Sequence, residues 1–299
     1  MKLRFQGVRG SYTQTGATTV KYGGNTSCVH VTLNSGQHVI FDAGTGIMSL
    51  KSFDGPKEAP LFLLLTHTHW DHINGFPFFM PIHQPNRELI ICTGAEESSY
   101  PDNIPLILGQ IDSLGSPLDL FSLPCNLNVV GQSNIVTSMK DHNIHIDTKA
   151  LNHPGGGTAY IIREDDLSVA YITDNELSPP GKITTSYEEW VNFLSHVDVL
   201  IHDAQYVEAD MPFKHGWGHS LISQVRQLAI DAEVQTLALY HHDPERTDAE
   251  LDDIQRENEK IFKGLVCPTQ SITAMEGMTM EITKSKTASG DHFISVKSD

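Results

Sequence analysis

Nowhere in the 299 residues does an apolar run approach the roughly 18 residues that a membrane-spanning helix needs. No membrane partner is therefore expected. The four cysteines, Cys28, Cys92, Cys125 and Cys267, are scattered and form no C-x-x-C pair. That spacing fits neither a disulfide framework nor a cysteine zinc site, and reads as buried thiols. Basic residues are also scarce, with 20 Lys and Arg against 37 Asp and Glu, a formal net charge of -17. A protein that grips extended nucleic acid neutralises phosphates with clustered Lys and Arg, and no such cluster is present. The opening residues, MKLRFQGVRG, put polar residues and glycine where a secretion signal carries its apolar segment. A cytoplasmic location is the expectation. What is plentiful is histidine, sixteen in all, whose neutral rings can ligate metals without adding positive charge.

A chain of this length can bury a substantial core without covalent staples. Short apolar, β-branched segments recur at 3–8, 28–33, 38–44, 61–67 and 89–92, and again at 144–151, 158–163, 168–174, 197–203 and 236–242. The two series predict two sheets. Helices fall mainly between strands of the second half. Ser186 with Glu189 forms a capping-box pattern ahead of Trp190, Phe193 and Leu194. His219-Ser220 opens a second helix carrying Leu221, Val225 and Leu228, and Thr247 with Glu250 caps a third carrying Leu251, Ile254 and Ile261. Residues 76–135, rich in Pro, Gly, Asn and Ser, predict long, partly ordered connections. Within them the apolar stretch Phe76-Pro77-Phe78-Phe79-Met80-Pro81 suits core packing, a pocket wall or an interface between copies, so a homodimer stays open. The expectation is one domain over 1–283 and a loosely attached tail over 284–299.

The chemistry concentrates at His67-Thr68-His69-Trp70-Asp71-His72, just after the apolar strand LFLLL. Three imidazoles and a carboxylate in six residues form a ligand-rich turn suited to zinc and related divalent ions. One loop cannot surround two ions, so further ligands must come from other strand ends. His153 follows one strand and precedes Pro154-Gly155-Gly156-Gly157, Asp174 ends another, and His241 ends a third. His241 and His242 are adjacent, and in a continuing strand they would point to opposite faces.

H-x-H-x-D-H after a strand, followed by a lone His, a lone Asp and a final His, resembles the metallo-β-lactamase superfamily. The likeness runs from the N-terminal strands to His241. It implies a four-layer αββα sandwich with two divalent metal ions at one sheet edge: Zn2+, with Mn2+ or Fe2+ as alternatives. It further implies that His67, His69 and His153 hold one ion, that Asp71, His72 and His241 hold the other, and that Asp174 bridges them. His241 matches the family's strand-ending histidine in L-x-L-x-H, leaving His242 to orient substrate or begin a loop.

Within the superfamily, His219-Ser220 before a helix resembles ribonuclease Z and its phosphodiesterase relatives, in which such a pair lies near the scissile phosphate. His202-Asp203-Ala204 resembles the H-E-A-T element of that group, with Asp203 in place of Glu. The stretch from Gly7 to Val31 and FDAGTG at 41–46 resemble the same branch, while Gly23-Gly24-Asn25-Thr26 reads equally as a hairpin turn. Two adjacent ions lower the pKa of a shared water and make hydroxide available as nucleophile. Asp71 is the candidate to orient that hydroxide. His219 is the candidate proton donor to the leaving oxygen, or else a helix cap. Asp203 or Glu176 would steady the ligand imidazoles through their second ring nitrogens. The charge of -17 opposes a polyanion and favours a small phosphodiester, above all a cyclic nucleotide. The competing readings are tRNA 3′-end processing, hydrolysis of a lactam, lactone or thioester at the same metals, and a metal-binding signalling module without turnover.

Overall fold

A computed structural model describes residues 1–54, 59–94, 105, 107–110, 123–264, 269–286 and 292–294. In chain order the strands are β1 (Lys2–Gly7), β2 (Cys28–Thr32), β3 (His38–Phe41), β4 (Leu61–Leu64), β5 (Glu88–Cys92), β6 (Asn126–Val130), β7 (His145–Ala150), β8 (Thr158–Glu164), β9 (Leu167–Ile172), β10 (Val199–Asp203), β11 (Thr236–Tyr240), β12 (Gln270–Thr273), β13 (Thr279–Glu281), β14 (Lys284–Lys286) and β15 (His292–Ile294). The helices are α1 (Trp70–Ile73), α2 (Gln132–Lys140), α3 (Tyr187–Leu194), α4 (Ile222–Asp231) and α5 (Asp248–Gly264).

The two strand series form two sheets, ordered β13-β1-β2-β3-β4-β5-β6 and β12-β11-β10-β9-β8-β7. Their facing sides share one core, in which Phe5, Val31, Phe41 and Phe62 meet Tyr160, Ile162, Val169 and Ile201. The outer face of the second sheet, with Ile161, Ile172 and Leu237, is covered by Trp190 and Leu194 of α3, Val225 and Leu228 of α4 and Phe262 of α5. The outer face of the first, with Ile40, Leu63 and Ile91, is covered by Ile47, Ile73, Phe76, Phe79 and Ile82. The fold is the expected α/β sandwich. β9, β10 and β11 are buried along their whole length and mostly apolar, as inner strands covered on both faces require, with His202 and Asp203 at the carboxyl end of β10.

Two expected helix starts hold. The Ser186 hydroxyl accepts from the Glu189 N–H while the Glu189 carboxylate accepts from the Ser186 N–H, and Thr247 with Glu250 makes the same exchange. The third is displaced. α4 begins at Ile222 because the Ser220 hydroxyl donates to the Asn175 carbonyl and accepts from the Leu177 N–H, leaving it unavailable as a cap.

The region 76–135 departs from expectation where it is described. Phe76–Phe78 and Met80–His83 are 3-10 turns that bury Phe76, Phe79 and Ile82 and expose Phe78 and Met80, so most of the apolar stretch is core. β6 and the start of α2 also lie there; α2 carries Ile135 and Met139 into the inter-sheet core. Among the described residues of the tail, β14 pairs with β15 in a two-stranded sheet separate from the two main sheets.

The strands that matter for the site are parallel: β4 beside β3, and β10 between β9 and β11. Their carboxyl ends therefore gather at one edge. At three of them the chain turns sharply, with Asp42 after β3, Asp174 after β9 and His241 after β11 at φ 56°, 58° and 55°. Asp and His tolerate this left-handed geometry better than most non-glycine residues, though at a cost offset by the surrounding packing.

Candidate metal centre

The seven residues come together from these ends. The loop after β4 supplies His67 and His69, and α1 supplies Asp71 and His72. Close backbone packing fixes that loop. Ala43 donates to the His72 carbonyl at 2.7 Å and Gly75 donates to the Ala43 carbonyl at 2.9 Å. A Cβ on Gly44 would stand 2.3 Å from the Asp71 carbonyl oxygen, so only glycine allows this approach.

His67, His69, His153 and Asp174 form one group, and Asp71, His72, His241 and Asp174 a second. In the second, His72 Nε2 lies 3.3 Å from Asp71 Oδ2 and 3.2 Å from Asp174 Oδ1. His241 Nε2 stands 3.3 Å and 3.0 Å from the same two oxygens. In the first, the Nε2 atoms of His67 and His153 are each 3.6 Å from Asp174 Oδ2, and His153 Nε2 is 2.9 Å from His69 Nδ1. Ligands about 2.1 Å from one tetrahedral ion stand about 3.4 Å from each other. The spacings match that requirement, and Asp174 turns one oxygen to each group.

The outer ring nitrogens sharpen the fit. His72 Nδ1 is 2.8 Å from Asp42 Oδ2 and His241 Nδ1 is 3.0 Å from Gln205 Oε1. His153 Nδ1 is 3.1 Å from the Gly218 carbonyl and His67 Nδ1 is 3.0 Å from Thr66 Oγ1. Thr66 spends its own proton on Asp42. Each ring thus donates its Nδ1–H outward and turns a lone pair at Nε2 inward. The Nε2 atoms of His67 and His72 are buried without a hydrogen-bond partner. Buried lone pairs converging with two carboxylates call for cations between them. The residues fit divalent ions.

The carboxylates Asp71 and Asp174 call for positive charge at this point, which falls on the rings when no ion is bound. Burial opposes charge on His241, but Asp174 and Asp71 outweigh it and pull its pKa up to about 10. Burial likewise opposes charge on His72, and Asp71, Asp174 and Asp42 raise it well above the usual range. Desolvation, with His72 beside it, drives His67 well below that range.

Of the adjacent histidines, His241 enters the cluster. His242 is buried elsewhere, its Nε2 2.9 Å from the Ala274 carbonyl. His219 is no helix cap. Its Nδ1 lies 2.8 Å from Asp203 Oδ2, and its ring stacks on His241 with centroids 5.1 Å apart. Asp174, Asp203, His219 and His241 form a third group, but Asp203 also accepts from the N–H groups of Asn175 and Gln205. It is committed to holding the site.

The expected helpers are partly corrected. Asp203 steadies His219 rather than one of the seven. Glu176 reaches no imidazole of the seven; it accepts from Gly216 at 2.9 Å and Gly218 at 3.0 Å, fixing the loop whose Gly218 carbonyl holds His153. Gly218 sits at φ 90°, and a Cβ there would stand 2.0 Å from His153 Nδ1. Gly23 to Thr26 is neither a hairpin nor part of the cluster: Gly24 and Asn25 donate to Glu276 within the long 8–27 connection. Sequence reasoning missed Asp42, Thr66, Gln205 and Ser11, whose N–H donates to Asp71 Oδ2 at 2.8 Å. The only signal for Asp42 was its place in FDAGTG.

The family model described as "Beta-lactamase superfamily domain" matches residues 37–242. The chain is 24% identical over 272 residues to the ribonuclease Z of Streptococcus suis (strain 98HAH33), covering 75% of this chain and 85% of that protein. Its fold is similar to the crystal structure of the short form of human tRNase Z, with a TM-score of 0.60 at 16% identity over 95% of this chain and 100% of that one. It is similar also to a diphosphatase from the PhnP family, with a TM-score of 0.62 at 16% identity over 94% and 98%. Sequence, fold and the convergent imidazoles agree: the chain belongs to the metallo-β-lactamase superfamily and is a metal-dependent hydrolase related to ribonuclease Z.

Proposed function

We propose that the chain hydrolyses a small phosphodiester, with a cyclic nucleotide as the best-fitting class, at a dinuclear centre. His67, His69 and His153 would hold one divalent ion and Asp71, His72 and His241 the other, with Asp174 common to both groups. His and Asp donors suit Zn2+, with Mn2+ and Fe2+ as alternatives. The observation that carries the phosphodiester reading is the His219–Asp203 pair at the cluster. An alkoxide leaving a phosphorus centre needs a proton, and a carboxylate-oriented imidazole is suited to give one.

Bound there, a pair of divalent ions supplies an activated water at neutral pH and meets the charge developing on phosphate oxygens. The chain's residues do the rest. Asp42, Thr66, Gln205 and the Gly218 carbonyl fix the imidazoles in one orientation. Ser11 N–H steadies Asp71, which we assign to orienting the attacking water. Asp203 accepts the His219 Nδ1–H, so the proton that His219 would transfer is the one its imidazolium form holds at Nε2.

The net charge of -17 supports a small substrate over an extended nucleic acid. Among the described residues no helix is long and apolar enough to cross a membrane. tRNA 3′-end processing is the second reading, favoured by the likeness to ribonuclease Z. A panel of 2′,3′- and 3′,5′-cyclic nucleotides, RNA ends, pre-tRNA, nitrocefin and an acyl lactone ranks these readings. His67→Ala and Asp174→Ala should each lose metal and hydrolysis of a bis-aryl phosphodiester. Folded variants retaining both would sink the dinuclear proposal.

A further inference from the structure

A cavity of about 250 Å3 opens directly beside His219, between the 211–218 loop and the start of α4. Met211, Pro212 and Leu221 give it apolar walls, and its polar groups come from Glu176, Ser178, His215 and Gln224. Its volume falls below the roughly 300–1,000 Å3 of pockets that enclose a drug-sized ligand. It therefore suits one ring system and not a whole nucleotide.

The polar groups define the charge it accepts. Both oxygens of Glu176 are occupied by the backbone N–H groups of Gly216 and Gly218, yet the carboxylate still disfavours an anion. Gln224 Oε1 accepts from the Leu221 N–H, which leaves its NH2 group to donate to a ligand. Met and Pro walls offer a polarisable, flat contact for an aromatic face. The loop is pinned, with Lys214 Nζ 2.5 Å from Asp243 Oδ2 and His215 Nε2 3.0 Å from the Ser178 carbonyl. The cavity is thus preformed.

We infer that this cavity binds an uncharged, hydrogen-bond-accepting ring, a nucleobase or its like, attached to the leaving side of the substrate. The inference rests on the phosphodiesterase reading and deepens it: the phosphate is bound at the imidazole cluster, the ring beside His219, and His219 lies between them. Such a division selects nucleoside-bearing diesters over bare sugar phosphates and over polyanions.

Two variants test it. Gln224→Leu removes the amide while keeping its bulk, and Leu221→Trp fills the cavity. Binding of free adenosine and guanosine, which carry no phosphate, is followed by NMR chemical-shift perturbation. Hydrolysis of cyclic nucleotides is compared with that of an abasic cyclic ribose phosphate. The expected result is nucleoside binding to the wild type, weakened at least tenfold in either folded variant. The kcat/KM ratio of base-bearing to abasic substrate should fall by a similar factor, mainly through KM. Absence of nucleoside binding, or equal binding by wild type and Gln224→Leu, overturns the inference. Nucleoside binding without hydrolysis of any phosphodiester overturns the proposed reaction and leaves the cavity assignment standing.

Discussion

Asp42 Oδ2 lies 2.8 Å from Nδ1 of His72, and both side chains are wholly buried. The same carboxylate accepts from the Thr66 N–H at 2.7 Å and from the Tyr171 hydroxyl at 2.9 Å. It therefore ties the β3 end to the β4 loop and to β9 of the opposite sheet. Asp42→Asn keeps the size but can present an NH2 group to His72, favouring the wrong tautomer at Nε2. Metal affinity should fall about 10- to 100-fold, as for other residues that orient ligands. Competition with a chromophoric chelator reads this directly, and unchanged affinity in folded Asp42→Asn would remove the assignment.

Asp42 also marks the limit of what the sequence discloses. The seven residues of the cluster were legible because four crowd into six positions and the others end apolar strands. Asp42 is one carboxylate among 37, and its role comes from the turn after β3 meeting a ring 30 residues later. Two-sided burial made the inner strands visible as continuous apolar runs. β6 was hidden because its NLNVV alternates exposure at the sheet edge, and α2 because Gly131 stands at its cap without a side-chain signal. The cavity beside His219 was illegible for the same reason as Asp42: it needs Met211 and Gln224 to meet across a loop.

Stripping the metal should destabilise the fold, because an ion that binds the folded cluster and not the unfolded chain adds its binding free energy to stability. An ion present at about 1,000 times its dissociation constant stabilises by ~4.1 kcal/mol. Chelation should therefore lower Tm by roughly 10 °C, and added Zn2+ should restore it. A Tm indifferent to chelator and metal would contradict the proposed ligand set.

Acid should weaken the protein through a second histidine pair, remote from the metals. His38 Nε2 donates to the Asp54 carbonyl, leaving Nδ1 to accept from His30 Nε2 at 3.0 Å. Burial, with His38 and nearby basic groups, lowers the His30 pKa to about 3. An unfolded histidine titrates near 6.5. Its stabilising contribution is complete above about pH 6.5 and is lost as pH falls towards 3, because only the unfolded chain binds the proton in that interval. The slope contributed is at most ~1.4 kcal/mol per pH unit, reduced by the residual exposure of His30. Urea titrations of wild type and His30→Leu between pH 7.5 and 5 should show a shallower pH dependence in the variant. Parallel slopes would rule the pair out as the acid-sensitive element.

His219 offers the sharpest separation of chemistry from architecture. If its Nε2 proton goes to the leaving oxygen, the cost of losing it must depend on how badly that oxygen needs a proton. For a cyclic nucleotide, whose leaving group is a sugar alkoxide, His219→Ala should reduce kcat by about 10²- to 10⁴-fold. For a bis-p-nitrophenyl diester, whose phenolate departs unprotonated, the reduction should be far smaller. Asp203→Asn should follow the same pattern to a lesser degree, because it disturbs the tautomer rather than removing the ring. Metal content should stay at the wild-type level in both variants, since neither residue belongs to the two ligand groups. Equal losses on both substrates, or loss of metal, would recast His219 as a support for His241, on which its ring stacks.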